Sequence, residues 1–173
     1  WCTVDWGSDG CASVPGVEMG YKAVGGKPGL VGTMWETGLE GEGPVHAEVR
    51  SDEVAGAETD PTVIIANWAR LTTEVAPRVA PVLLLVRTAA ATDSDLALLQ
   101  EDLDAQRLAR MAHNADALAR RGHLREGIRR DQARDILFTY TTPESYELLV
   151  LRQGWSLDDF GEFIRRGITA ALL

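Results

Sequence analysis

Residues 131–173 hold three amphipathic segments in succession, DQARDILFTYT, PESYELLVLRQG and SLDDFGEFIRRGITAALL, with almost no linker between them. Ala133, Ile136, Leu137 and Tyr140 recur at helical spacing, which puts them on one face. Pro143 suits the first turn of a new helix, where its missing N–H costs nothing. Gly154 can end that helix and Ser156 can cap the next, with Asp158 and Asp159 near its positive end. In the last helix Phe160, Ile164, Ile168, Ala171 and Leu172 form an apolar stripe, and Gly161 and Gly167 allow close helix approach. Such a stripe needs a cover, either the body of the chain or a second copy of it.

The rest of the chain reads as helix too. Residues 1–20, WCTVDWGSDGCASVPGVEMG, lack sustained periodicity and are expected to be poorly ordered. Lys27-Pro28 opens a helix with Leu30, Val31, Met34, Trp35 and Leu39 as apolar positions, and a short helix is expected over residues 46–54. Asp60-Pro61 is an N-cap followed by proline at the first helical position. Ile64, Ile65, Trp68, Leu71 and Val75 mark the buried side of that helix. Pro77 and Pro81 are expected to break or kink it. The nearly all-apolar residues 82–91 then read as a further helix surrounded by protein. Thr92-Asp93-Ser94 caps the longest helix, expected over residues 95–121, with Leu96, Leu99, Leu103, Leu108, Met111, Ala115 and Leu118 inward and Gly122 closing it. No strand pattern competes, so the architecture is expected to be all-α.

Bulk properties exclude some classes of function. The net charge of −9 makes the whole chain a poor non-specific binder of nucleic acid, although a small basic module on an acidic body remains compatible with it. Cys2 and Cys11, with three histidines in the chain, make no metal pattern, and the thiols are expected to be reduced. The longest apolar run, VAPVLLLV, is too short to cross a bilayer. No signal-peptide pattern is present, which points to the cytoplasm. The start at Trp1 instead of Met is that expected of a fragment or a misread start.

Catalysis finds little support. Ser94, Ser145 and Ser156 all fall at helix starts, where capping explains them, and His123 after Gly122 is expected to be exposed. Neighbouring acids such as Asp102 and Asp104 do not share a helix face. Gly25-Gly26-Lys27 lacks the strand and spacing of a phosphate loop. No enzyme activity, metal or cofactor is expected.

The run FTYTTPESYELLVLRQGWSLDDFGEF, residues 138–163, resembles a pattern near the end of TetR/AcrR-type transcriptional regulators. The resemblance continues back through residues 86–125 and more weakly to about residue 24. It implies a TetR-like helical bundle that dimerises through its last two long helices, and it divides the chain into a helix-turn-helix remnant with its connecting helix, residues 1–41, and a ligand-binding and dimerisation domain, residues 42–173. YKAVGGKP, residues 21–28, resembles the end of the family's DNA-reading unit. Tyr21, with Lys22 beside it, then matches a phosphate-contacting Tyr, and Lys27 a backbone-contacting Lys, contacts that position a protein without reading sequence. SVPGVEMGYKAV carries extra residues, including Gly16 and Gly20, where a recognition helix belongs, and the helices that should support it are missing.

The same resemblance implies a cavity for a small hydrophobic effector. Trp68, Leu71, Leu84, Arg87, Leu108, Met111, Asn114, Phe138 and Tyr140 come from helices that should converge around it, with Arg87 and Asn114 as its sparse polar groups. Arg87 can equally snorkel or pair with an acid. Tyr146, Leu149, Val150, Phe160, Ile164, Gly167, Ile168 and Ala171 are the expected dimer contacts. The implied partners are a second copy, the effector and, in an intact protein, a duplex operator. The rival reading is a helical dimeric scaffold, or a remnant, without a DNA role.

Overall fold

The computed structural model describes residues 25–40 and 45–173. Cys2, Cys11, Tyr21, Lys22 and the domain boundary expected after residue 41 lie outside the described residues. Within them the secondary structure is all helical: α1 (Gly26–Glu40), α2 (Ala47–Ala57), α3 (Pro61–Ala90), α4 (Ser94–Arg120), α5 (Arg130–Tyr140), α6 (Pro143–Tyr146) running on as a π-helical segment (Glu147–Arg152), and α7 (Leu157–Leu172). None of them is long and apolar enough to cross a membrane.

Side-chain caps fix several of the starts. The Asp60 carboxylate accepts the Thr62 N–H at 2.8 Å, and Asp93 accepts those of Asp95 and Leu96. Ser156 accepts the Asp159 N–H at 3.0 Å, as its position suggested. Ser94 and Ser145 do not cap; Asp93 and Thr142 hold those places. Thr142 accepts from Glu144 at 3.1 Å. An aspartate or threonine one to three residues upstream has the extended backbone a cap needs, and the serine is already inside the helix.

The expected break at Pro77 and Pro81 does not occur. α3 continues through both prolines for 30 residues, which makes it the longest described helix, ahead of the 27 residues of α4. Each proline removes one backbone hydrogen bond. Pro77 and Pro81 are both exposed, one turn apart. The carbonyls they orphan therefore lie on the wet side, where water can satisfy them, while the buried face carries on uninterrupted. The same outward face carries Leu85, 62 % exposed, so the end of α3 is not surrounded by protein as its composition suggested.

α3 is the central element and packs against α1, α2, α4, α6 and α7. Ile64, Ile65 and Trp68 of α3 meet Ala115 and Leu118 of α4, Ala133 and Leu137 of α5, and Phe160, Ile164, Ile168 and Leu172 of α7 in one core. A satellite core of Trp35, Val79, Leu83 and Leu103 joins α1 to α3 and α4. The apolar stripe of α7 is thus covered by the chain's own body, and each such side chain contributes about 1.5–3 kcal/mol of burial. Close approach uses the glycines. A Cβ on Gly38 of α1 would lie 2.9 Å from Val79 Cγ2, and one on Gly161 would lie 3.0 Å from Thr73 Cγ2. α2 carries few apolar residues inward and is tied down by ion pairs instead: Arg50 binds Glu74 of α3 at 2.5 and 3.0 Å.

Candidate functional site

A partly open cavity of about 500 Å³ lies against the central stretch of α3, with walls from α1, α2, α4, α5, α6 and α7. Its apolar walls include Trp35, Leu71, Val75, Val79, Met111 and Phe160. The exposed Glu36, Glu48, Gln106 and Ala109 also line it and mark its mouth, between α1, α2 and α4.

Four residues expected around a ligand, Trp68, Leu71, Met111 and Asn114, line this cavity together; Leu84, Arg87, Leu108, Phe138 and Tyr140 do not. Four of these five sit one residue away from a lining position: Leu83, Arg107, Leu137 and Thr141 face it instead of Leu84, Leu108, Phe138 and Tyr140. One residue is a rotation of about 100° on a helix, enough to carry a side chain from wall to flank. Arg87 is half-exposed and pairs with Glu144, with Asp104 at 3.9 Å. Phe138 carries the Arg107 guanidinium 4.5 Å from its ring centre. Tyr140 stacks beside Phe163, centroids 5.6 Å apart, and lies against Gly167.

The expected dimer contacts divide as well. Tyr146, Phe160, Ile164 and Ile168 are buried within the chain and form part of the cavity wall. Leu149 and Val150 pack against the core, Ala171 is half-buried, and Gly167 is covered by Tyr140. Periodicity had found an inward face correctly but could not say what it faced. The exposed apolar residues of this region are Leu148, Leu151, Trp155, Leu157 and Phe163. Trp155 and Phe163 meet edge to face and line a shallow groove with Asp159, Glu162, Arg166 and Gly167. Trp35, Val75 and Val79 of the cavity were not singled out from sequence as ligand contacts; their apolar spacing was the available signal.

The polar wall is closely paired. Arg110 binds Asp52 of α2 at 2.6 and 3.1 Å and Ser51 Oγ at 2.9 Å. Burial pushes the Asp52 carboxyl up, but the hydrogen bond and charge of Arg110, with His113 at 3.2 Å, outweigh it and hold the group below its ordinary value. Arg107 binds Asp104 at 3.0 Å and the Thr141 carbonyl at 3.3 Å. Burial lowers the pKa of the Arg107 guanidinium against the support of Asp104. Desolvation raises that of Tyr146, which stays a neutral phenol. Lys27, expected to touch a DNA backbone, places Nζ 2.8 Å from the Asp93 carboxylate. His123 is half-buried, not exposed, and its Nε2 is sealed from solvent. No cluster of His, Cys, Asp and Glu among the described residues could hold a metal ion.

Comparison of the chain with family models, with curated proteins and with solved structures gives no match. The functional reading therefore rests on the residues and their geometry.

Proposed function

We propose that this chain is the ligand-sensing, self-associating body of a TetR/AcrR-like transcriptional regulator, acting as a repressor in the cytoplasm when joined to an intact DNA-reading unit. The supporting observation is the cavity: about 500 Å³ of space in a helical body, walled by aromatic and aliphatic side chains with few polar groups, suits a small hydrophobic molecule. The exposed strip from Leu148 to Phe163 supports a homodimer through the last helices, made by the outward residues of that region and not by the buried stripe. An effector would act by favouring one arrangement of the two subunits over another.

The test is a thermal-shift screen of small apolar molecules against wild type and Met111→Trp. A molecule that binds the folded chain raises its melting temperature. Met111 lines the cavity, so the larger indole should weaken a true hit at least tenfold. Hits that bind both chains equally, or no hits at all, refute the sensing role and favour a helical scaffold.

A further inference from the structure

Several polar side chains in the cavity wall are left without a hydrogen-bond partner among the described residues. Asn114 and Tyr146 are each 6 % exposed, and both line the cavity. Among the described residues, neither the Asn114 amide nor the Tyr146 hydroxyl makes a side-chain hydrogen bond. The sealed, unpartnered polar atoms include the indole N–H groups of Trp35 and Trp68, which line the same cavity, but not the polar atoms of Asn114 or Tyr146. Those two groups therefore border accessible space, and both residues line the cavity. A buried amide or hydroxyl left unsatisfied carries its full desolvation penalty, so such groups are normally matched by protein, water or ligand.

Charge narrows the choice. The two guanidiniums of the wall, Arg107 and Arg110, are already engaged by Asp104 and Asp52. Glu36 and Glu48 stand at the mouth. An anion would meet carboxylates on entry and no uncompensated positive charge inside. Asn114 lies one turn beyond Arg110 on the same face of α4, about 6 Å further along the axis. The uncommitted groups are rich in donors: two amide N–H, one hydroxyl and, with a small ring movement, two indole N–H. Against these stand only the Asn114 amide oxygen and the Tyr146 phenol oxygen as acceptors, so the donors are in excess and an added acceptor suits the site best.

We propose that Asn114 and Tyr146 form the polar subsite of the cavity, and that the subsite takes a neutral, mainly apolar molecule by a carbonyl-type oxygen. This rests on the cavity being a ligand site, and the experiment separates the two claims. Affinities of three probes, benzophenone, diphenylmethane and diphenylacetate, are measured by calorimetry on wild type, Asn114→Leu and Tyr146→Phe. Benzophenone and diphenylmethane share two rings and differ in the carbonyl. On wild type benzophenone should bind about tenfold more tightly than diphenylmethane, and diphenylacetate more weakly than either. Each substitution should remove most of the benzophenone advantage and leave diphenylmethane within about twofold, which also certifies the fold. Asn114→Leu should melt at or above the wild-type temperature, because it deletes an unpartnered buried amide. Equal affinity for the two neutral probes on wild type, or a benzophenone advantage that survives both substitutions, overturns the subsite while leaving the cavity reading intact. Preference for diphenylacetate overturns the neutral-ligand claim. A lower melting temperature with loss of both neutral probes makes Asn114 structural and overturns its role. Failure of all three probes on wild type overturns the cavity reading and the subsite with it.

Discussion

The ring of Tyr140 lies directly on Gly167, so that a Cβ at 167 would overlap the ring and come within 2.7 Å of the phenol oxygen. This contact joins α5 to α7 and sets the aromatic row Tyr140, Phe163 and Trp155, with successive centroids 5.6 and 6.1 Å apart. Alanine in place of glycine inside a helix ordinarily gains about 1 kcal/mol. Here overpacking opposes it, and Tyr140 can move only by leaving Phe163. Gly167→Ala should therefore lose roughly 1–2 kcal/mol in denaturant unfolding, since overpacking commonly costs about 1–3. Adding Tyr140→Leu should recover part of the loss. A Gly167→Ala chain as stable as wild type would contradict the contact.

The Arg50–Glu74 pair is expected to anchor α2. Glu74 has a 9 % exposed side chain and Arg50 a 22 % exposed one. Removing one partner leaves the other charge poorly solvated, so Glu74→Ala should destabilise by roughly 2–4 kcal/mol. Arg50→Met combined with Glu74→Met should cost much less than the sum of the single changes. Additive losses in a double-mutant cycle would show that the pair is not coupled.

Asp52 makes the attachment of α2 sensitive to acid. Its carboxyl titrates below the ordinary value in the folded chain, so it binds protons less readily folded than unfolded. Its contribution is present above the unfolded value, about 4, and is lost as pH falls through the lower folded value. Melting temperatures of wild type and Asp52→Asn should differ most near neutrality and converge below about pH 4. A gap that widens in acid would reverse the sign of this argument.

For self-association the informative positions are the outward ones. Leu148 and Leu151 are 52 % and 56 % exposed. Leu148→Glu with Leu151→Glu should leave the fold intact and shift sedimentation at micromolar concentration from dimer to monomer. A wild-type chain that already sediments as a monomer removes the homodimer from the proposal.

The helices were legible where local chemistry decides them. Asp60-Pro61, Asp93 and Ser156 announce their caps through side chains that reach the backbone two or three residues on. The continuity of α3 through Pro77 and Pro81 was not legible, because it depends on which face the prolines present to water. The π-helical segment left no local signal either: Gln153 N donates to Leu148 O, five residues back, where the same apolar residues would serve an α-helix. Trp68, Met111 and Asn114 could be placed at a shared cavity because each sits on the inward side of a long helix. Leu84, Leu108, Phe138 and Tyr140 missed it by one position, since periodicity locates a face and not a single residue. The stripe from Phe160 to Leu172 showed its need for cover, but identical spacing serves an intramolecular core and a subunit interface.

Val79 belongs at once to the cavity wall and to the contact with Gly38. No side chain stands between the two as a cushion. Outward displacement of Val79 would press on the backbone of α1 itself, and a bare backbone inside a hydrogen-bonded helix yields less readily than a methyl group that can rotate aside. A molecule that displaced Val79 would therefore move α1 with it.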